Sequence, residues 1–558
     1  MKVNMKKKLK KIGIIVAIAL IPGLFVFKTA DNYFEISKNL QIMASVVQDV
    51  NAYYVDDVDA AKLLHTGIDA MLKSLDPYTN YYSESEIDDY RFMTTGQYGG
   101  VGATISKKGD YVIISEPYKG WPAQKADLRS GDLILEIDGK SVKGKSTDDV
   151  SKLLKGSPNT ELKLLIQRTG VDKPFEKVIT RQQITVGNVP YSGMINDHIG
   201  YIKFVGFREN AASEVRKALE GLEKNNDLKG LVFDLRGNPG GLLDEAIKTV
   251  NIFSDKGQLV VFTKGKTEDA NHKYYTEGDP LDTKIPVVVL VDGGSASAAE
   301  IVSGSLQDLD RAIVVGSNSF GKGLVQTTHP LPYNTQMKIT SSKYYIPSGR
   351  CIQAIDYAKK DEDGHGYRLP DSLKHAFKTK DGRTVYDGTG IKPDVPVPVK
   401  KYADVLLSLG QKQLLFDYAT LYRSKHDSIP SAKQFKLTEN DWNDFMAYLK
   451  DKEYEYKTET EETLTKLEKT AKDEKYFAAL ESDFKDLETK LKADKSEDVT
   501  KNKQDIIEVL QNEIASRYYF EPGRVEASFS TDADIQEALH LFANPDEYQK
   551  LLTVSTTK

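Results

Sequence analysis

The sequence predicts a multidomain α+β protein with an α/β core near its centre. Three observations support this fold class. Strand and helix signals alternate between residues 198 and 394, which is the pattern of an α/β domain. Residues 98–183 read as short strands separated by glycine turns, and the chain beyond residue 402 carries apolar residues at helical spacing. The predicted segments, in order, are a leader (1–30), a helical module (31–95), a β-rich domain (96–185), the α/β core (186–400) and a helical extension (401–558).

The composition is that of a globular protein and excludes several classes of partner. Charged residues make up 28% of the 558 residues and the net charge is −6, so no nucleic-acid footprint is present. The single cysteine, Cys351, excludes an intrachain disulfide and a cysteine-rich metal site. We therefore predict no nucleic-acid partner, no metal site and no cofactor.

The amino terminus has the layout of a secretion signal or a membrane anchor. Five lysines between Lys6 and Lys11 precede sixteen mostly apolar residues, Ile12–Phe27. As a helix this run spans about 24 Å, short of the ~30 Å hydrocarbon core of a bilayer. A cleaved signal and an uncleaved anchor both place the rest of the chain outside the cytoplasm, so we expect a periplasmic protein or one on the extracytoplasmic face of the membrane. A buried helix is the alternative, but it leaves the basic flank unexplained.

The next segment is predicted to be helical from Phe34 to Asp89, with the second helix ending at Leu75-Asp76-Pro77-Tyr78. Its apolar residues recur at three- and four-residue spacing: Ile42, Val46, Val47, Val50, Ala61, Leu64, Ile68, Met71 and Leu72. We interpret it as a packing module that supports the fold or mediates self-association. A homo-oligomer is therefore left open.

The β-rich segment has predicted strands at Ala103–Ser106, Tyr111–Ile114 and Glu161–Arg168, a helix at Ser146–Lys155 and a Gly-Asp-x-Ile-Leu-x-Ile-Asp-Gly run at Gly131–Gly139. With these features it resembles a PDZ domain over about 85 residues. The resemblance implies that an extended peptide is bound at a sheet edge. Glycine-rich loops can present free N–H groups to a terminal carboxylate, because glycine reaches the required backbone angles. We assign this role to Tyr98, Gly99, Gly100, Val101 and Gly102, although an ordinary tight turn is the alternative.

The α/β core places a serine and a lysine just beyond two strand ends. The apolar run Val287–Val291 breaks at a glycine turn, and Ser297 follows at the start of a predicted helix. The apolar run Ala312–Val315 leads into a glycine-flanked lysine, Lys322. We predict that Ser297 and Lys322 form a catalytic Ser–Lys dyad.

A serine nucleophile needs a base, and histidine is the usual one. None of the eight histidines accompanies a triad signature, and the Gly-x-Ser-x-Gly elbow is absent around Ser297. A lysine can replace histidine only when it is neutral, and burial favours the neutral amine. Lys322 lies between Phe320-Gly321 and Gly323-Leu324, with no acid within five residues.

Two further groups complete the predicted site. Gln326 follows Lys322 by four residues and can accept a hydrogen bond that orients the amine. The N–H of Ala298 and the Asn-Pro-Gly-Gly turn at Gly240 and Gly241 can form an oxyanion hole. Taken singly, the serine reads as a helix cap and the lysine as a loop residue. Their joint occurrence with the turn carries the prediction.

These motifs closely resemble those of the carboxy-terminal processing (tail-specific) peptidases. The resemblance rests on Asp234–Gly241, Gly294–Glu300, Phe320–Gln326, Tyr345–Arg350 and Gly390–Asp394, with Lys322 following Ser297 by 25 residues. It covers roughly residues 35–400 and implies a core similar to the crotonase and ClpP fold. By it, Ser297 is the nucleophile, Lys322 the general base and Gln326 its orienting partner, with Ala298 and the turn as the oxyanion hole. Ala299 stands where a serine is frequent in the family.

The helical extension lies outside this resemblance. Leu464, Leu467, Leu480, Phe484, Leu487 and Leu491 share one helix face among many Lys and Glu. We interpret the charged face of these helices as exposed to solvent. A dimer contact or an adaptor protein is the alternative.

The sequence as a whole predicts an exported serine endopeptidase that acts through an acyl-enzyme. Its PDZ domain is expected to capture exposed, apolar carboxy-terminal tails of protein substrates and to gate the site. A binding protein built on a dead hydrolase core is the first rival, and the intact Ser297, Lys322 and Gln326 argue against it. An acyl-CoA enzyme is the second rival, and the PDZ segment and the leader argue against it.

Overall fold

The structure is a computed structural model that describes residues 33–225, 227–360, 366–495 and 497–553. These residues divide into two units, one formed by those within 33–83 and 328–340 and the other by those within 84–327 and 341–553. The predicted signal or anchor, residues 1–30, lies outside the described residues. Within those residues, no helix is both long enough and apolar enough to cross a membrane.

Residues 33–83 of the first unit form two helices and a short strand. Helix α1 covers residues 33–53, α2 is Ala60–Lys73 and β1 is Asn80–Tyr82. Asp59 caps α2 by accepting a hydrogen bond from the Lys62 N–H. The prediction of a helix up to Asp89 is wrong at residues 80–82, because β1 pairs antiparallel with residues 336–338. That partner is more than 250 residues away in the chain, so local periodicity could not reveal it.

The second unit begins with the PDZ-like domain, whose antiparallel sheet has the strand order β3-β4-β5-β7-β8, with β6 on β5 and β2 paired to β9. Its elements are α3 (Ile87–Thr95), β2 (Gln97–Gly100), β3 (Ala103–Lys108), β4 (Tyr111–Pro117), α4 (Pro122–Lys125), β5 (Leu133–Ile137), β6 (Lys140–Ser141), α5 (Thr147–Leu154), β7 (Glu161–Gln167), β8 (Phe175–Thr180) and β9 (Gln182–Thr185). The predicted strands and helix of this segment are confirmed. Strand β3 ends the sheet and lies beside α5, which leaves an edge where a peptide strand could be added.

The core is built on a six-stranded sheet with the order β10-β11-β12-β15-β16-β23, in which β10 alone runs antiparallel. Its elements are β10 (Tyr191–Met194), β11 (Ile199–Lys203), α6 (Ala211–Asn225), β12 (Gly230–Asp234), α7 (Leu243–Phe253), β15 (Val287–Val291), α8 (Ala298–Asp308), β16 (Ile313–Gly316) and β23 (Val395–Pro396). All five residues of β15 are buried, as expected for a parallel strand that is covered on both faces.

The two faces of this sheet are covered by different parts of the chain. Val287, Val289 and Val291 pack in one cluster with helices α6, α7 and α8. Val288 and Leu290 pack in another with the carboxy-terminal helices. The helical extension is therefore an integral layer of the core, because without it half of the sheet's apolar surface would face water.

The remaining strands form small antiparallel sheets. They are β13 (Leu259–Gly265), β14 (Lys273–Tyr275), β17 (Leu324–Leu331), β18 (Thr335–Tyr345), β19 (Ile355–Lys360), β20 (Gly366–Arg368), β21 (Ala376–Lys378) and β22 (Thr384–Tyr386). In the second unit, β13 pairs with β14 and with residues 342–345 of β18. These pairings bring the end of β18 next to the core.

The predicted helical extension is confirmed. Its helices are α9 (Asp404–Gln411), α10 (Leu414–Lys425), α11 (Glu439–Leu449), α12 (Glu459–Asp473), α13 (Phe477–Lys495), α14 (Asp498–Lys501), α15 (Lys503–Ser528), α16 (Ala533–Ala543) and α17 (Pro545–Leu552). Helix α15 kinks at Phe520, whose φ is 60° and ψ −157°, two residues before Pro522. Before the kink it packs among the other extension helices, and after it on the core sheet.

The extension also contacts the PDZ-like domain. Asp417 forms an ion pair with Lys108, and Arg524 forms one with Glu116 at 3.1 Å. The side-chain amide of Gln413 donates to the Lys107 carbonyl. The extension therefore contacts both the core sheet and the PDZ-like domain, which no sequence pattern indicated.

Candidate active site

The predicted site residues of the core lie at the carboxyl ends of three neighbouring parallel strands. Strand β12 leads into the turn that contains Gly240 and Gly241, β15 leads into Ser297, and β16 leads into Lys322. Open α/β sheets bind their ligands at this edge. The structure thus places the predicted nucleophile, base and oxyanion turn at one edge of the sheet.

Ser297 adopts a backbone conformation that serine rarely takes. Its φ is 54° and its ψ −114°, and it immediately precedes the first residue of α8. Asp292 holds the preceding turn by accepting from the N–H groups of Gly294, Ser295 and Gly237. Strain of this kind costs about 1–3 kcal/mol and persists only where the surroundings impose it. The fold therefore holds Ser297, half-buried, in a fixed and unusual orientation.

Lys322 lies on a loop between two glycines that the packing requires. A Cβ on Gly321 would lie 2.4 Å from the Ala354 Cβ, and one on Gly323 would lie 2.9 Å from the Gln353 N. Any other residue at either position would collide with the segment that contains Gln353 and Ala354. Lys322 itself is half-buried, as is Gln326, which lies in β17.

Glu300, on the first turn of α8, links the serine and lysine segments. Its Oε2 accepts from the backbone N–H groups of Ser297 at 2.8 Å and Lys322 at 2.9 Å. Its Oε1 accepts from the Gly321 N–H at 2.7 Å and the Ser319 hydroxyl at 2.5 Å. One fully buried carboxylate thus fixes the separation of the two backbone segments.

The protonation of Glu300 reflects two opposing effects. Burial disfavours the charged carboxylate, and the four donors favour it; the net result is a pKa raised to about 7. The carboxyl group therefore changes its charge near neutral pH.

Tyr344 links the same two segments from their carbonyl side. Its buried hydroxyl lies 2.7 Å from the Lys322 carbonyl oxygen and 3.1 Å from that of Ser297, and can donate to them. Its own backbone N–H donates to the Gly323 carbonyl at 3.0 Å. Glu300 and Tyr344 together form a dyad clamp, which binds the N–H groups and the carbonyls of the two predicted catalytic residues.

The predicted oxyanion turn lies against the serine. A Cβ on Gly240 would lie 2.8 Å from both the Ser297 Cβ and the Ala298 N, so only glycine allows this approach. The Gly240 N–H, however, already donates to the Asn238 side-chain oxygen at 2.9 Å. Among the residues that the structure describes, the N–H groups of Gly241 and Ala298 have no acceptor. Gly240 therefore provides close approach, and the other two provide the unpaired donors.

The predicted carboxylate loop is partly a strand. Tyr98, Gly99 and Gly100 pair with β9 in strand β2, so the turn itself is Val101-Gly102. The Tyr98 ring covers Gly100, where a Cβ would lie 2.7 Å from the ring. Burial raises the pKa of the Tyr98 hydroxyl, while the N–H groups of Ala103 and Gly102 favour its ionised form. The tyrosine oxygen therefore lies near the N–H groups that a terminal carboxylate would need.

Sequence reasoning missed both members of the dyad clamp. Glu300 follows Ser297 at the spacing of a capping box, and this signal could have indicated that its carboxylate binds the serine N–H. Tyr344 comes from a distant strand, and no local pattern connects it to Ser297.

Known proteins match three parts of the chain. Residues 198–362 match the profile of "Peptidase family S41", residues 113–168 that of "PDZ domain", and residues 405–542 that of "Probable PDZ-protease, C-terminal helical domain". A solved structure, "Photosystem II D1 C-terminal processing protease", is 27% identical and covers 63% of this chain and 92% of that chain, with a TM-score of 0.34.

Two curated relatives are similar over most of their length. "Carboxy-terminal-processing protease" of Bartonella bacilliformis is 38% identical over 331 residues, which are 59% of this chain and 75% of the relative. "Probable CtpA-like serine protease" of Staphylococcus aureus is 34% identical over 409 residues, which are 73% of this chain and 70% of the relative. The predicted family and fold class are confirmed: the chain belongs to the carboxy-terminal-processing proteases of peptidase family S41, serine-type peptidases, and carries a PDZ domain and a carboxy-terminal helical domain.

Proposed function

We propose that this protein is an exported endopeptidase that cleaves protein substrates at or near their carboxy-terminal tails with a Ser297–Lys322 dyad. The observation that carries the proposal is the dyad clamp. A buried carboxylate and a buried hydroxyl hold the backbones of these two residues together at the carboxyl edge of the sheet. A lysine and a serine with only structural roles would not need to be joined at both their N–H and carbonyl groups.

The proposed reaction proceeds through an ester on the serine. Neutral Lys322 removes the Ser297 proton as Oγ bonds to the scissile carbonyl carbon, and the N–H groups of Gly241 and Ala298 bind the resulting oxyanion. The C–N bond then breaks, and the Lys322 ammonium gives its proton to the leaving amine. Water attacks the acyl-enzyme and loses a proton to Lys322, which returns it to Ser297. Gln326 accepts a hydrogen bond from the lysine and orients it.

The substrate is proposed to enter through the PDZ domain. Its edge strand β3 beside α5 offers the geometry for strand addition, and the Val101-Gly102 turn offers N–H groups for the terminal carboxylate. We propose that tail capture also gates the dyad. Export relies on residues 1–30 as a signal or anchor, and finding the full-length chain in the cytoplasm would contradict it.

The test is cleavage of a loosely folded protein with an apolar tail, followed by mass spectrometry of the products. The expected result is acyl-enzyme formation on Ser297 and faster cleavage of the free-acid tail than of the same tail amidated. The Ser297→Ala variant is the negative control, called the blank. Equal rates for the free-acid and amidated tails would contradict tail recognition, and parent activity in the blank would contradict the dyad.

Tyr344→Phe is expected to lower kcat by about 3- to 10-fold with KM unchanged, because loss of a hydrogen bond of about 1 kcal/mol loosens the two segments without touching substrate. Steady-state kinetics on a short peptide ester measures this. Tyr345→Phe is the matched control, since Tyr345 is the next residue and its ring stacks on Phe262. An equal loss in both variants would contradict a specific role for the Tyr344 hydroxyl.

Tyr98→Phe is expected to strengthen binding of a free-acid tail peptide about 2- to 10-fold, because it removes a hydroxyl close enough to the Gly102 and Ala103 N–H groups to compete with a carboxylate for them. Fluorescence titration in the Ser297→Ala background measures the affinity without cleavage. The amidated peptide and Tyr111→Phe, elsewhere in the same domain, are the controls and should show no gain. Equal gains for both peptides would refute the competition.

A further inference from the structure

The helical extension reaches the catalytic region through a partly buried charge cluster. Arg236 lies just after β12, at the start of the turn that contains the proposed oxyanion donors. Its Nε and Nη2 donate to the two carboxylate oxygens of Asp234 at 3.0 and 2.7 Å. Its Nη1 donates to Asp532 at 2.9 Å and to Asp534 at 2.8 Å. The carboxylates of Asp532 and Asp534 both lie at the amino-terminal end of α16.

Asp234 and Asp532 have further partners that fix their places in this cluster. Asp234 is fully buried and also accepts from the Tyr201 hydroxyl at 2.5 Å. Asp532 caps α16 by accepting from the N–H groups of Asp534 and Ile535. The side chain of Arg236 is only 16% exposed, and each of its two α16 partners is 19% exposed. Charge-assisted hydrogen bonds of this kind are the strong ones in proteins.

The oxyanion turn follows Arg236 directly in the chain. The next residue, Gly237, donates its N–H to Asp292 at 2.8 Å. The Asn238 carbonyl then accepts from the Ala296 N–H at 2.9 Å, next to Ser297. A shift of the Arg236 backbone would therefore move the turn relative to the nucleophile.

Attachment of the extension does not depend on this cluster. The apolar layer formed by Val525, Phe529, Ile535, Ala538 and Leu541 already packs on the sheet. Two partly buried carboxylates aimed at one guanidinium are costly to desolvate and would add little to that packing. Their position at the start of the turn indicates a role in geometry.

We infer that Asp532 and Asp534 of the carboxy-terminal helical domain are positioning residues for catalysis, which hold Arg236 and thereby hold the oxyanion turn against Ser297. This inference rests on the proposed Ser–Lys function. It assigns the helical domain a part in the chemistry itself, in addition to its packing on the sheet and its contacts with the PDZ domain.

The test is the isosteric variant Asp532→Asn/Asp534→Asn in the full chain, which keeps the helix cap and removes both charges. The probes are a short peptide p-nitrophenyl ester and the corresponding peptide boronic acid, whose tetrahedral adduct with serine occupies the oxyanion hole. We expect kcat to fall about tenfold or more, since small misplacements of catalytic groups have effects of this size. Boronate affinity should fall by a similar factor, with KM within about twofold. Affinity for a tail peptide should not change.

The matched control is Glu526→Gln, which removes a carboxylate that joins the extension to Tyr191 of the core at 3.0 Å without reaching Arg236. It should keep the kcat and boronate affinity of the parent. If the double variant does not fold, Asp534→Asn alone decides the question, with an expected fall of about threefold in both quantities. Parent-like kinetics of the aspartate variants, or an equal loss in Glu526→Gln, would overturn the inference. A parent no faster than Ser297→Ala would instead overturn the proposed function, and the inference with it.

Discussion

Ser297→Ala and Lys322→Met are each expected to lower kcat by about 10³-fold or more. In the proposed mechanism each removes a group without which the acyl-enzyme cannot form at a useful rate, because an unactivated serine hydroxyl is a weak nucleophile. Residues that act as a unit show non-additive losses. The double variant is therefore expected to be no slower than the slower single variant. Single-turnover and steady-state kinetics on the same peptide ester measure both points.

The control for charge removal near the site is Lys343→Met, in β18 beside Tyr344, where the lysine is exposed. It should retain the kcat of the parent. A Lys322→Met protein with more than a tenth of the parent kcat would show that another group is the base. Additive losses in the double variant would show that the serine and the lysine act in separate steps.

Glu300→Gln is expected to lower kcat about 100-fold at pH 8 while changing the free energy of unfolding far less. Glutamine has one acceptor oxygen where the carboxylate has two, so two of the four donors face an amide N–H₂ and the dyad segments move apart. Glutamine also removes a buried charge that costs the folded state up to about 3 kcal/mol at pH 8, from a pKa of about 7 against 4.5, and this figure already includes the four donors. Stability at pH 8 should therefore not fall with kcat, because what is lost is the geometry of the two segments.

The pH dependence of stability separates this explanation from a general loss of folding. Because the folded-state pKa of Glu300 is raised to about 7, the folded state binds one more proton than the unfolded state between pH 4.5 and 7. Its contribution to stability is therefore full below pH 4.5 and is lost as pH rises to 7, by up to about 3 kcal/mol. The dyad clamp needs the ionised form to accept from both backbones. Activity should thus rise with pH around 7, at the upper end of the range over which this contribution to stability is lost.

The measurement is chemical unfolding of the parent and of Glu300→Gln from pH 4.5 to 8. The quantity compared at each pH is the difference between their free energies of unfolding. Other titrating groups cancel in that difference. Ser305→Ala is the control, since it loses one buried hydrogen bond on the same helix without touching the dyad. Parallel stability curves for parent and Glu300→Gln would refute a raised pKa for this carboxyl.

The sequence was sufficient for the parts of the site that are local. Ser297 lies at a strand-to-helix turn and Lys322 between glycines, and both patterns are readable within a few residues. The same holds for β15, whose continuous apolar run correctly predicted a strand. The covering layer on its second face could not be read, because α16 and α17 lie more than 200 residues further along the chain.

Contacts of long range account for what was missed. Strand β1 forms only because it pairs with residues 336–338. Tyr344 reaches Ser297 from β18, and Arg236 reaches Asp532 across 296 residues. It was also unpredictable that the Gly240 N–H already has an acceptor, since only the structure shows that it donates to the Asn238 side chain. Periodicity reports which face of an element is buried, and it does not report the partner.

The link between Arg236 and Asp532 bears on when the enzyme becomes active during its biosynthesis. Ser297 and Lys322 are translated more than 200 residues before Asp532 and Asp534. Under the inference above, a nascent or prematurely terminated chain carries both dyad residues beside an unsupported turn. Proteolytic activity would then depend on completion of the polypeptide. Such an order would protect the cell from partly made copies of its own protease.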